Sequence, residues 1–246
     1  MGSGIICSLD IVAKTDDDSD VNYPGGKGKT YPRIINLMPP HTIYIETHLG
    51  GGAVMRHKLP ATEQVGIELN SAIAKKWQLK YPGVCDVLCT DAVSFLESAC
   101  LPETALIYAD PPYVSSTRRR SRVYRHDYSD RDHERLLNCL KEQRCMVMVS
   151  GYASPLYDSM LRDWRRISYR AKTHQDFREE FVWLNYVSPS RLHDERYRGV
   201  TSRDRHTLRR RIRRLQDRIE KLSLFEKKEL GDWFLATRRE QNASND

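Results

Sequence analysis

Residues 105–113 read Ala-Leu-Ile-Tyr-Ala-Asp-Pro-Pro-Tyr, an apolar run of five that passes directly into a carboxylate, two prolines and a phenol. A short run with no polar position marks a buried strand. The two prolines fix φ at consecutive positions and carry no N–H, so the carbonyls beside them are held in place and left free to accept hydrogen bonds. The strand therefore delivers a rigid polar loop. Asp110, the Pro111 carbonyl and the flat ring of Tyr113 together suit a planar amine gripped at its NH2 and stacked, and an exocyclic base amine such as adenine N6 has those features. Its lone pair is delocalised into the ring, and holding its N–H bonds in fixed acceptors activates it by geometry and electrostatics.

At 246 residues the chain has room for one large α/β domain and an appendage. Its net charge of +7 points to a polyanionic partner. That charge is concentrated: residues 201–221 hold nine cations (eight arginines and Lys221) against three anions, which is six of the seven net charges. The six cysteines are scattered, with no paired or zinc-type spacing, as expected for reduced thiols in a cytosolic protein, and no metal site is expected. Nothing approaches a membrane span or a secretory leader, so neither insertion nor secretion is expected.

Residues 1–21 read as a flexible acidic arm without apolar periodicity. Tyr23-Pro24-Gly25-Gly26-Lys27 follows, a glycine turn beside a lysine, and then an apolar patch that fits a short helix stopped by Pro39-Pro40. A strand at 43–45 leads through Glu46-Thr47-His48-Leu49-Gly50-Gly51-Gly52 into a helix, a turn that lets a ligand lie against bare backbone. About twenty residues on, a second strand ends at Glu68, an offset at which a carboxylate can accept both ribose hydroxyls of an adenosine. A helix over 71–80, a strand ending near Asp91 and a helix over 92–98 come next. After the tetrad, Arg118, Arg119, Arg120, Arg122 and Arg125 are interleaved with Tyr124, a mixture suited to phosphate contact and base stacking. An amphipathic helix, a buried strand over 145–149 and a closing pair of strands complete the pattern, and Pro189 marks a boundary. Beyond it Leu208, Ile212, Leu215, Ile219 and Leu222 form a heptad seam on a basic helix, able to pack on the core, to pair with a second copy, or both.

The ordered motifs over residues 22–186 resemble the Dam-like DNA adenine-N6 methyltransferases, which use S-adenosylmethionine. The resemblance implies that Asp110 and Pro111 take the N6 amine of a flipped adenine and Tyr113 stacks on its ring, with Pro112 completing the tetrad. It places Tyr23 and Lys27 at the methionine end of the cofactor, with Glu46, Gly50, Gly52, Glu68, Asp91 and Asp110 lining the rest. Two departures stand out. The family has Pro-Phe where this chain has Thr47-His48, and the recognition domain that the family inserts between the motifs of Asp91 and Asp110 has no room here.

The expected fold is α/β, a Rossmann-like, doubly wound and mostly parallel sheet with an antiparallel closing hairpin and a C-terminal basic helix. The expected layout is an arm over 1–21, a methyltransferase domain over 22–188 and a basic helical extension over 189–246. The expected function is site-specific methylation of adenine N6 in duplex DNA, in a bacterial cytoplasm or a phage-infected cell. Restriction-linked protection, phage self-marking and housekeeping marking all fit it. The alternatives are the same chemistry on RNA or on cytosine N4, and an inactive nucleic-acid-binding module.

Overall fold

The structure, a computed structural model, describes residues 27–28, 30–114, 128–172 and 177–243. The acidic arm, Tyr23 and the arginine–tyrosine run (Arg118, Arg119, Arg120, Arg122, Tyr124 and Arg125) lie outside the described residues.

Five strands run parallel: β1 (Ile43–Glu46), β2 (Glu63–Ile67), β3 (Asp86–Leu88), β4 (Ala105–Ala109) and β5 (Met146–Gly151). A hairpin, β6 (Arg165–Lys172) and β7 (Phe177–Leu184), closes the edge, with β7 antiparallel to β5. The sheet order is β3-β2-β1-β4-β5-β7-β6, which is the doubly wound, mostly parallel α/β arrangement expected from the sequence.

The apolar run predicted as a buried strand is β4, the centre of the sheet and buried at all five positions. Because successive side chains point to opposite faces, Ala105, Ile107 and Ala109 join one core while Leu106 and Tyr108 join the other. The first core is covered by α4 (Ala92–Ser98), α5 (Asp130–Glu142) and α6 (Pro155–Met160), through residues such as Leu96, Leu136, Leu140 and Tyr157. The second is covered by α1 (Tyr31–Ile35), α2 (Ala53–His57) and α3 (Ser71–Lys80), through Ile34, Val54, Met55 and Trp77. Strand order reverses between β1 and β4, so the loops leaving their carboxyl ends part to opposite faces and open a crevice there.

The packed unit runs past Pro189. Leu192, Asp194 and Tyr197 are buried, and Asp194 accepts a hydrogen bond from the Leu59 amide at 3.0 Å. Beyond them a Thr201–Asp204 capping box opens α7 (Ser202–Glu220), which carries the basic seam. A second helix, α8 (Leu224–Ala243), follows it. The seam is not covered: Ile212, Leu215 and Ile219 are 46, 47 and 40% exposed.

The glycine loop after β1 is shaped by one side chain. Trp77 on α3 is buried, donates its indole N–H to the Gly50 carbonyl at 2.8 Å, and lies against Gly52, where a Cβ would meet the ring at 2.0 Å. Gly50 and Gly52 both adopt the left-handed conformation, with φ of 46° and 55°. Gly52→Ala adds backbone strain to a steric clash, so the variant should lose about 2 kcal/mol or more of unfolding free energy, read from urea denaturation.

Candidate active site

The crevice brings together groups from six places in the chain. β4 ends at Asp110, which is followed by Pro111, Pro112 and Tyr113, and Lys27 arrives from the turn ahead of α1, held by hydrogen bonds from the Thr30 and Tyr31 amides to its carbonyl. The Lys27 ammonium is buried and donates to Asp110 Oδ1 at 2.7 Å and to the Tyr113 hydroxyl at 2.5 Å, with Glu180 Oε2 3.7 Å away. Glu180 in turn accepts from the Tyr113 hydroxyl at 3.1 Å and from the Tyr169 hydroxyl at 2.8 Å. Tyr169 and Glu180 face each other across the β6–β7 hairpin.

A buried cation among two carboxylates and two phenols is balanced by its neighbours. Burial works against the Lys27 charge, yet Asp110, Tyr108 and Glu180 outweigh it and hold the ammonium well above its usual range. Burial raises the Asp110 carboxyl, Lys27 pulls it back, Glu180 pushes it up again, and the net direction is upward. Asp110 is therefore a more basic carboxylate than usual, with Lys27 favouring its ionised form. Its second oxygen, Oδ2, makes no hydrogen bond among the described residues. Tyr113 and Tyr152 meet in a T-shaped contact, with ring centroids 4.4 Å apart at 64°.

Across the crevice, β1 delivers Glu46, buried and accepting from the Tyr44 hydroxyl at 3.1 Å. Burial, with Asp110 adding to it against the Tyr44 hydrogen bond, pushes its carboxyl up to about 8. β2 ends at Glu68, whose two oxygens accept the Gly50 and Asn70 amides, each at 2.9 Å, so the carboxylate braces the glycine loop. Asp91 caps α4, accepting from the Ser94 amide at 2.9 Å and lying 3.6 Å from Arg135, with a third of its side chain exposed.

His48 has local partners on both ring nitrogens, Thr47 Oγ1 at 2.8 Å and the Tyr128 hydroxyl at 3.0 Å. Burial and His133 lower its pKa to about 3, so the ring is a neutral joint between the glycine loop and the residue that precedes α5. Among the described residues no group of three or more His, Cys, Asp or Glu side chains is placed to hold a metal ion, and no helix is long and apolar enough to cross a membrane.

Residues 67–175 match the model of the D12 class N6 adenine-specific DNA methyltransferases. Over this segment the chain is similar to the D12 methyltransferases. The match supports methyl transfer as the reaction class. The D12 segment contains Glu68, Asp91, the Asp110–Tyr113 loop and Tyr169, whereas Lys27, Glu46, Gly50, Gly52 and Glu180 lie outside it. No curated protein matches the chain at a significant level.

Among solved structures the chain is similar to a precorrin 8W decarboxylase of Methanobacterium thermoautotrophicum (10% identity, 67% of this chain and 94% of that one, TM-score 0.43). It is also similar to a putative methyltransferase of Streptococcus mutans in complex with SAH (8% identity, 63% and 93%, TM-score 0.42). A third is an rRNA methylase of Streptococcus thermophilus (9% identity, 63% and 92%, TM-score 0.41).

Glu180 and Tyr169 are the site groups that sequence reasoning missed. The available signal was period-two alternation in β7, where Glu180 shares the inward face with Val182 and Leu184. A carboxylate on an otherwise apolar face has a partner to meet.

Glu46 offers a direct test of this electrostatic arrangement. In the unfolded chain its carboxyl ionises near ~4.3, whereas in the folded protein it keeps its proton up to about 8. The folded state thus binds a proton that the unfolded state has lost across that window, and stability falls as pH rises through it. Glu46→Gln removes this dependence. Its melting temperature should gain on that of wild type steadily as pH is raised from the lower to the upper end of that window.

Proposed function

We propose that the protein transfers the methyl group of S-adenosylmethionine to N6 of adenine in duplex DNA, with the target base turned out of the helix beside Asp110. The observation that carries the reading is the Lys27 clamp on Asp110 Oδ1, which favours the ionised form of a buried carboxylate and leaves Oδ2 for an incoming amine.

The cofactor fits the other half of the crevice. Gly50 and Gly52 turn the chain without side chains beside the end of β1, where a Cβ on Gly52 would collide with Trp77. Glu68 stands on one side of that loop and Glu46 on the other. A buried carboxyl that holds its proton up to about 8 suits a cationic ligand group, since a nearby positive charge would favour its ionised form. Glu46 would meet the charged methionine end and Glu68 the ribose, with Asp91 next to the cofactor's base. The bound cofactor supplies an electrophilic methyl group.

The chain's residues do the rest. Asp110 Oδ2 and the Pro111 carbonyl accept the two N–H bonds of the amine, which localises the nitrogen lone pair. Pro112 keeps the loop rigid and free of competing donors. Tyr113, fixed through its hydroxyl by Lys27 and Glu180, offers a ring face for the base. Asp110, its pKa raised by burial, is suited to accept the proton that the nitrogen must release. Tyr23 and the arginine–tyrosine run after the tetrad would complete the cofactor and phosphate contacts. The half-exposed seam on α7 is the surface through which two copies would pair. A reduced cytoplasmic setting suits the five free cysteines among the described residues.

Asp110→Ala should lower methyl transfer by about 10²- to 10⁴-fold and, because it leaves the Lys27 ammonium buried without its partner, should also cost about 3–5 kcal/mol in urea unfolding, so activity is compared at matched folded fraction. The same substitution with full activity would defeat the assignment. Lys27→Met removes the charge that favours the ionised form of Asp110, so the carboxylate protonates at higher pH. The acid limb of the rate profile should then move to higher pH, and an unmoved limb would show that Lys27 does not act on Asp110.

A further inference from the structure

Helix α7 has two opposed stripes. The apolar seam occupies one, and at helical spacings of seven, four and seven Arg203, Arg210, Arg214 and Lys221 occupy the other. All four cations are exposed, and α7 buries no residue. Among the described residues none of its eight arginines lies within 4.0 Å of a carboxylate oxygen. A solvated helix face is ordinarily of mixed sign, with carboxylates set to meet its cations. This one carries four cations against the single carboxylate of Asp217 over roughly 27 Å, at 1.5 Å per residue.

The root of α7 is connected to the crevice. Arg205 and Arg209, at the root of α7, donate to the Gly199 and Arg196 carbonyls at 3.0 and 3.2 Å. Arg33 lies 5.8 Å from the Tyr169 ring, whose hydroxyl binds Glu180 in the candidate active site. Burial, and then the repulsion of Arg33 and Arg209, lower the Arg205 guanidinium from its usual value. Cations have thus been crowded from the wall of the site to the helix, where an external anion would relieve them.

We propose that the cationic stripe of α7 is a sequence-independent docking surface for the phosphate backbone of duplex DNA, on a helix whose root is held beside the wall of the methylation site. It rests on the methyltransferase reading only for the identity of the polyanion. Duplex DNA carries one charge per about 1.7 Å of axis, so a rod of cations this long covers many phosphates, and arginine is suited to meet them two bonds at a time. An acidic polypeptide is the competing occupant.

The test uses the full chain and a 24-base-pair duplex of mixed sequence, with affinity read by fluorescence anisotropy across a salt series. The variant carries Arg203→Gln, Arg210→Gln, Arg214→Gln and Lys221→Gln, all at exposed positions with no packing to lose. It should bind about tenfold or more weakly at 0.1 M salt, with a log–log salt slope shallower by about 3 to 4. Equal affinity and slope in the two proteins would overturn the proposal. Displacement of the DNA by poly-L-glutamate at equal charge concentration would overturn it too, in favour of an acidic protein partner. Wild-type binding with the expected salt slope but without methyl transfer would uphold the docking surface and defeat the transfer reading, so the two fail separately.

Discussion

The buried ion pair of Lys27 with Asp110 is the interaction on which the rest of the crevice depends. An isolated charge at either position would be expensive, since breaking a buried pair by removing one partner costs about 3–5 kcal/mol. The chain therefore has to bring the turn before α1 against the end of β4, 83 residues apart in sequence. That juxtaposition fixes the hairpin as well, because Glu180 of β7 receives the Tyr113 hydroxyl and Tyr169 supports it from β6. Lys27 thereby unites the entry to the domain, its central strand and its closing hairpin. Burial raises the proton affinity of Asp110 and Lys27 moderates the rise, which leaves a carboxylate more basic than usual beside the incoming amine.

Opposite this cluster the cofactor half of the crevice is organised by packing. Trp77 sets the path of the glycine loop by holding the Gly50 carbonyl and excluding any side chain at Gly52. Glu68 braces the same loop through two backbone amides. Thr47-His48, where the resembling family has Pro-Phe, is used here to connect the loop to Tyr128. A neutral imidazole with a partner on each nitrogen serves that purpose.

Much of this was readable in advance, for local reasons. An apolar run of five with no polar position, stopped by two prolines, is too short for a buried helix and fits a strand buried on both faces, and β4 is one. The helices predicted over 71–80 and 92–98 match α3 and α4, which begin beyond capping side chains, Asn70 and Asp91. The contacts that define the site were not readable, because they join residues far apart in sequence. Lys27 was assigned to the cofactor on resemblance, and its bond to Asp110 needed the fold. Glu180 stood in a charged stretch, Arg178-Glu179-Glu180, where only the strand's inward register distinguishes it from its neighbours. Helix α8 was missed because its apolar residues, Trp233, Phe234 and Leu235, are adjacent and exposed, and do not trace one helical stripe.

Methyl transfer to DNA can be followed with labelled S-adenosylmethionine and mixed-sequence duplex, digested afterwards to nucleosides and set beside single-stranded DNA and RNA. Label recovered in N6-methyl-2′-deoxyadenosine from the duplex, and lost with Asp110→Ala, is the expected result. Label in RNA alone or in N4-methylcytosine would contradict the assignment of substrate. Tight cofactor binding with no transfer to any nucleic acid would contradict the activating role assigned to the Lys27–Asp110 pair.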